Sequence, residues 1–137
     1  MNKLLYKIEL HLVKVIPMIY ALLSLLNTTL SYFDINIYKL TIVIFDKWKE
    51  CDKFLPADEM EIEANAITIH NYGASLVAVN AKRESSIAHE SEHIKNAIWR
   101  YIGYEPQRDN DEVDAYLLTY IYNKITDVFY KHYKAAK

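Results

Sequence analysis

Two histidines and a glutamate have the types and spacing that could do chemistry in this chain. His89, Glu90 and His93 form a His-Glu-x-x-His pattern within residues 87–94. Residues four apart lie on one face of an α-helix, because four residues turn it through only slightly more than one revolution. Both imidazoles can therefore reach one metal ion, while Glu90, about 100° from His89 around the helix, is directed at a water on that metal and not at the metal itself. The pattern predicts the active helix of a zinc hydrolase.

Two simpler explanations fit the same pattern. It could arise by chance in a chain with five histidines. Alternatively, both histidines could be surface residues of an ordinary amphipathic helix, paired with Glu90 or Glu92. However, the helix also has an apolar face to bury, because Ile87 and Ile94 fall about 140–160° from His89. We therefore favour the metal-binding interpretation.

A third metal ligand must come from further along the chain. The residues after His93 lack the Gly and the third His of the extended metzincin pattern. Gly103 predicts the left-handed end of the active helix and Pro106 prevents its continuation, so residues 104–108 should form a turn that returns a second helix antiparallel to the first. Glu112 then lies in the first turn of that helix. It is the best candidate for the third ligand.

Glu112 also has a local role that needs no metal. Asp109 as the N-cap and Glu112 three residues later would resemble a capping box, in which the glutamate side chain reaches back to the backbone of the cap. If capping is its only role, another carboxylate of the same stretch would complete the site. The remaining candidates are Glu105, Asp109, Asp111 and Asp114.

With Glu112 in place, the residues resemble a compact gluzincin-type metallopeptidase domain, of the small kind common in phage and bacterial genomes. The resemblance covers about residues 35–125 and rests on the His-Glu-x-x-His pattern followed, after a short turn, by Glu112 with Ala115 and Tyr116 behind it. It implies that His89, His93 and Glu112 bind one zinc ion per chain and that Glu90 is the general base.

The resemblance is incomplete at the position four residues after Glu112. The thermolysin-like pattern has an aspartate there that orients a ligand histidine, whereas this chain has Tyr116. Asp111, Asp114 or a backbone carbonyl could orient the imidazole instead.

The bulk composition is that of one globular domain. The chain has 137 residues, of which 52% are hydrophobic and 25% charged, which is enough for one core and too little for two. The net charge of −2 is spread over interspersed acids and bases, so no nucleic-acid-binding surface is predicted. Cys51 is the single cysteine, and we expect it to be a buried, inert thiol.

The amino-terminal residues 1–33 differ from the rest. Residues 15–33 carry no charge, which reaches the lower length bound of a membrane-spanning helix, but the strongly apolar part, residues 15–26, is shorter and typical of a core helix. We therefore expect an apolar N-terminal helix that is either a membrane segment or part of a soluble protein. The chain would be membrane-associated in the first case and cytoplasmic in the second. Residues 34–137 would form the zincin-like domain.

The pattern from residue 35 onward predicts an α+β fold. A β-branched run from Ile35 to Phe45 predicts a strand, residues 46–55 a short helix closed by Pro56, and residues 58–63 an acidic surface loop. Residues 66–70 and 75–80 predict a hairpin that turns at Gly73. The predicted order is a small β-sheet packed on an active-site helix and an antiparallel returning helix.

Three finer expectations concern the elements around the active helix. Ser85 or Ser86 should supply its N-cap. Residues 75–80, which shortly precede it, should form the edge strand that faces the substrate. His70 at the end of the previous strand should be structural, with a hydrogen bond to substrate as the alternative.

The sequence thus predicts a zinc metallopeptidase that uses a zinc-bound water activated by Glu90, with a peptide or protein as substrate. Peptide is favoured because a strand beside the active helix can pair with an extended chain. Two alternatives remain. One is an inactive binding module that zinc stabilises, favoured by Tyr116. The other is a membrane-anchored interaction protein in which residues 1–33 carry the function.

Overall fold

The computed structural model describes residues 29–35 and 38–135. Four strands form one mixed sheet: β1 (Thr29–Ile35), β2 (Tyr38–Phe45), β3 (Ala66–Asn71) and β4 (Ala74–Asn80). Their order is β1-β2-β4-β3, with β2 and β4 parallel and the two outer pairs antiparallel. Two helices, α1 (Ser86–Ile102) and α2 (Glu112–Ala135), pack on the sheet. The predicted α+β architecture is confirmed.

The inner strands β2 and β4 are covered on both faces. Alternate residues of these strands face the two helices and form the larger core: Tyr38, Leu40, Ile42, Ile44, Val77 and Val79. The intervening residues form a second, smaller core with the segment that follows β2: Val43, Phe45 and Ala78 with Trp48, Cys51 and Leu55. Burial of both faces explains why these strands have nearly continuous apolar sequences and not an alternating pattern.

The segment between β2 and β3 is less helical than predicted. A 3₁₀ helix spans Trp48–Lys53, and a shorter one, Ala57–Met60, follows Pro56 within the acidic stretch. Cys51 is completely buried here, as expected. Burial, together with the neighbouring acids Glu50 and Asp52, raises the pKa of the Cys51 thiol to about 12, so it stays protonated and inert at neutral pH.

The amino-terminal prediction needs one correction. Residues 29–33, which we assigned to the end of an apolar helix, form part of β1 and pair with β2. The predicted strand from Ile35 to Phe45 is therefore divided: Ile35 is the last residue of β1, and Tyr38–Phe45 is β2. β-Branched and aromatic residues such as Thr29 and Phe33 favour this strand. The rest of the predicted N-terminal helix, residues 1–28, lies outside the described residues. Within the described part of the chain, no helix is long and apolar enough to cross a membrane.

The ends of α1 are close to those predicted. Gly103 has φ 70° and ends the helix, and the N–H of Tyr104 donates to the carbonyl of Trp99 at 3.0 Å. At the other end, Ser85 flanks the helix but makes no side-chain cap, because its backbone is already helical. The N–H groups of Ser86 and Ile87 donate instead to backbone carbonyls of the preceding turn.

Helix α2 returns antiparallel to α1, as predicted. At its start, Asp114 contacts the second half of α1, and near its end Tyr130 donates a hydrogen bond to Glu84, just before α1 begins. Its buried stripe consists of Ile121, Ile125, Val128, Phe129 and His132.

The position of β4 contradicts the sequence-based expectation. Residues 75–80 were expected to form a substrate-facing edge strand, but β4 pairs with β2 on one side and with β3 on the other. The side chains of Val77 and Val79 are also fully buried, so they cannot contact a substrate. The edge on this side of the sheet is β3, so among the described strands near α1 only β3 has backbone groups without a partner strand.

The turn between β3 and β4 depends on Gly73 for two reasons. Its φ is +75°, and a Cβ at this position would lie 3.2 Å from the ring of Tyr101. Gly103 has a similar φ of +70°, but a Cβ there would meet no atom within 4 Å, so it provides a matched control. We expect Gly103→Ala to cost about 1–2 kcal/mol from backbone strain alone, and Gly73→Ala to cost more because Tyr101 must also move.

Chemical denaturation of both variants measures this difference. Equal losses of unfolding free energy would mean that the contact between Gly73 and Tyr101 contributes nothing.

Candidate metal centre and adjoining cavity

Helix α1 brings the two predicted histidine ligands to one point. The Nε2 atoms of His89 and His93 lie 3.0 Å apart, and both side chains are exposed to solvent. The rings are nearly perpendicular, at 82°. In this arrangement one Nε2–H donates to the lone pair of the other Nε2. Two imidazole nitrogens that converge on solvent have the arrangement that one side of a metal site would require.

The donor pair fits zinc. Two Zn–N bonds of about 2.0–2.1 Å at a tetrahedral angle place the nitrogens about 3.3 Å apart. The observed separation of 3.0 Å between the Nε2 atoms of His89 and His93 therefore needs only a small rotation of the rings. Neutral imidazole is a common zinc donor, and the exposure of the pair leaves room for water and substrate.

Glu90 lies beside the histidines but points into the protein. Its side chain is buried, with 5% of the residue exposed, and the hydroxyl of Thr68 donates a short hydrogen bond to Oε2. Thr68 belongs to the edge strand β3, so the sheet fixes one carboxylate oxygen and leaves the other without a hydrogen-bond partner among the described residues. A carboxylate held in this way is suited to accept a proton at a defined position.

Glu112 does not join the histidines in this arrangement. It is the exposed first residue of α2, and Asp114, two residues later, faces α1. Two residues correspond to about 200° around a helix, so Glu112 is turned away from α1. Tyr116, one turn after Glu112, is 71% exposed, which agrees with this orientation. Its role as a zinc ligand stays a prediction.

Across residues 38–135, no three His, Cys, Asp or Glu side chains lie close enough together to hold a metal ion. The described side chains therefore provide two donors of the predicted three.

The other carboxylates of this stretch have different roles. Asp114 accepts hydrogen bonds from Lys95 Nζ and from the Trp99 indole, both at 2.7 Å, so it links the helices and does not orient a histidine, which corrects one of our alternatives. Asp109 lies in the turn closed by a bridge between Gln107 and Asn110. Because α2 begins only at Glu112, Asp109 is too early to be the N-cap of a capping box.

A chain of hydrogen bonds ties His70, on the edge strand β3, to the core. Tyr38 Oη lies 2.6 Å from Ser75 Oγ, which in turn lies 2.8 Å from Nδ1 of His70. Tyr38 and Ser75 are buried, while His70 is exposed. Desolvation, with smaller contributions from the charges of Arg100 and His93, lowers the pKa of His70 below 6.5 and favours its neutral form.

The proton positions in this hydrogen-bond network follow from the donors and acceptors that each group has available. The Tyr38 hydroxyl has no other acceptor among the described residues, so it donates to Ser75 Oγ, and Ser75 then donates to Nδ1 of His70. This network assigns the proton of neutral His70 to Nε2. The ring therefore presents a hydrogen-bond donor, held in place by two buried hydroxyl groups.

A cavity of about 200 Å³ adjoins His70 and continues along α1 away from His89 and His93. Its lining includes Tyr72, Ala97, Arg100 and Tyr101. Tyr72 and Tyr101 contact each other edge to face, with ring centroids 4.7 Å apart. Arg100 is exposed and forms no ion pair with any residue in the described part of the chain.

Sequence reasoning did not identify Thr68 or Arg100 as functional, although both had a signal. Thr68 and His70 alternate along a predicted strand and so share one face. Arg100 follows His93 by seven residues, which returns it to nearly the same side of α1. The sequence does not show that α1 packs against β3, so neither spacing could be related to the residues on the other element.

Comparison with known proteins gives no relative from which identity could be taken. No family model matches the chain. No significant match was found among curated proteins or among solved structures.

Proposed function

We propose that the chain is a zinc-dependent hydrolase that cleaves peptide bonds. The observation that supports this best is the convergence of the His89 and His93 Nε2 atoms, 3.0 Å apart, on a helix that buries the intervening Glu90 against Thr68 of β3. A buried glutamate between two exposed histidines is unusual for a surface helix, because a buried polar side chain is costly unless it is hydrogen-bonded, and β3 supplies that bond through Thr68.

Each residue has a distinct role in the proposed reaction. His89 and His93 would hold zinc. Glu112, the third ligand that the sequence predicts, lies apart from them in this structure and would have to turn toward α1 to join them. Zinc bound there would polarise a carbonyl and lower the pKa of water toward about 7. Glu90 takes a proton from the attacking water and passes it to the leaving amine. Thr68 keeps one oxygen of Glu90 occupied, which leaves the other to exchange the proton.

A peptide substrate is proposed because the edge strand β3 borders the site. Thr68 contacts Glu90 from this strand, and the outer edge of β3 has no partner strand among the described residues. An extended peptide paired with that edge would lie next to the strand that holds the catalytic carboxylate. The sequence analysis assigned this role to β4, which the sheet order excludes, and we propose it for β3 instead.

The test is cleavage of a peptide library by the full chain, supplied with zinc or kept in chelator. Zinc-dependent cleavage that chelator abolishes is the expected result. If no peptide is cleaved by protein that has taken up zinc, the hydrolase proposal is wrong.

A second candidate is a binding module in which zinc serves only to stabilise the fold. It is favoured by the exposed position of Glu112 at the start of α2. In that case zinc would raise the stability of the chain, and the library would remain intact.

A further inference from the structure

The cavity beside His70 lies within reach of a substrate bound at the histidine pair. Ala97, in its lining, follows His93 by four residues on α1, which corresponds to about 6 Å along the helix. An extended peptide advances about 3.3 Å per residue. A group bound in the cavity would therefore belong to a residue within about two positions of the bond that is cleaved.

The cavity has the size of one substrate group. A cavity of about 150 Å³ accommodates a benzene molecule, and this one measures about 200 Å³. Its walls are largely aromatic, with Tyr72 and Tyr101 packed against each other. It is therefore a place for a single side chain or a chain terminus, and too small for a longer segment.

The charge of the cavity is positive. No carboxylate contributes to its described lining, and Arg100 supplies a guanidinium without an ion-pair partner among residues 38–135. The guanidinium is close enough to influence both His70 and Tyr38 electrostatically. An unpaired arginine beside aromatic walls attracts a planar anion, and carboxylate matches its fork of N–H donors.

His70 adds a second donor of fixed direction. The hydrogen bonds from Tyr38 through Ser75 to Nδ1 leave the proton on Nε2, so the neutral ring can donate to an oxygen without adding charge. Because this relay satisfies both buried hydroxyl groups, it is rigid and holds the His70 ring in one orientation.

We propose that the cavity formed by His70, Tyr72, Ala97, Arg100 and Tyr101 binds a carboxylate of the peptide substrate, next to the bond that is cleaved. This inference rests on the proposed peptidase function for its biological meaning, but the binding itself needs no metal. The carboxylate has two sources in a peptide, a free carboxyl terminus or an Asp or Glu side chain.

Binding of four short peptides to the full chain in chelator tests the proposal and separates the two sources. Acetyl-Ala-Ala-Ala with a free terminus is compared with its amide, and acetyl-Ala-Glu-Ala amide with acetyl-Ala-Gln-Ala amide. The measurement is an NMR titration followed at the His70 ring. In at least one pair the carboxylate form should bind on the order of tenfold more tightly than its neutral match.

Two variants locate the effect. Arg100→Gln should remove the preference, whereas Arg108→Gln, at an exposed arginine in the turn after α1, should retain it. Equal binding of acid and neutral forms in both pairs would overturn the proposal, as would loss of the preference in the Arg108 variant.

The outcomes also separate this inference from the proposed function. A preference for carboxylate peptides without any zinc-dependent cleavage would support the carboxylate-binding cavity and refute the proposed peptidase function. Zinc-dependent cleavage without any carboxylate preference would refute the subsite alone.

Discussion

Replacing Glu90 with glutamine is expected to lower the rate of peptide cleavage by about 10²–10⁴-fold while zinc binding is retained. Glutamine keeps the size of the side chain and can still accept the hydrogen bond from Thr68, but a neutral amide cannot take a proton from water. The buried position of Glu90 means that no solvent-exposed acid can replace it easily. The measurement is kcat/KM on a cleaved library peptide, with zinc content determined in parallel.

Two further variants show whether the loss is specific. Glu92→Gln, at an exposed residue of the same helix, should leave the rate nearly unchanged. Thr68→Val removes the donor that holds Glu90 and should give a smaller loss than Glu90→Gln. If Glu90→Gln retained most of the activity, Glu90 would not be the base and its contact with Thr68 would be only structural.

Replacing Asp114 with alanine is expected to lower the free energy of unfolding by about 2–3 kcal/mol. Removal of one partner of a fully buried ion pair costs about 3–5 kcal/mol, and the loss should be smaller here because 20% of the Asp114 side chain is exposed. Lys95 would keep its contact with Glu92, but the Trp99 indole would lose its acceptor. Urea denaturation measures the effect.

The same residue gives a pH dependence of known sign. Burial raises the pKa of Asp114, but the hydrogen bonds from Lys95 and Trp99 outweigh it and hold the pKa below the ordinary value of 3.8. The folded state therefore binds fewer protons than the unfolded state, and this stabilisation, present above pH 3.8, is lost as the pH falls through the lower folded value. The unfolding free energy of Asp114→Ala should therefore fall less steeply than that of the wild type as the pH is lowered through this range.

Asp111→Ala is the matched control, because Asp111 is exposed just before α2 and makes no side-chain bond to α1 in the described structure. Equal destabilisation by both substitutions would mean that the contacts of Asp114 with α1 are not what holds the two helices together.

Local patterns predicted much of the fold. The Gly103 stop of α1, the antiparallel return of α2 and the hairpin around Gly73 all follow from residues close together in sequence, and the structure has each of them. The proximity of His89 and His93 was also predictable from local sequence, because it requires only that residues 86–102 be helical.

Non-local packing could not be predicted in the same way. Whether residues 75–80 lie at the edge depends on the parallel pairing of β2 with β4, which joins segments more than thirty residues apart. The almost unbroken apolar run at Val77 and Val79 was a sign of burial on both faces. The orientation of Glu112 likewise depends on which flank of α1 receives α2, and the contacts of Asp114 with Lys95 and Trp99 decide it.

The central claim, that zinc binds between His89 and His93, is tested most directly by thermal unfolding of the full chain in chelator and in excess zinc. Zinc that binds only the folded state stabilises it by about 2.7 kcal/mol at a hundred times its dissociation constant. We expect zinc to raise the unfolding temperature of the wild type, with one zinc bound per chain. The unfolding temperature of His93→Ala should be the same in excess zinc as in chelator. Glu112→Gln should show a much smaller rise if Glu112 is the third ligand, whereas a full rise would leave Glu105, Asp109 or Asp111 for that place, because Asp114 already binds Lys95 and Trp99. A wild type that takes up no zinc, or a His93→Ala variant stabilised as much as the wild type, would contradict the account.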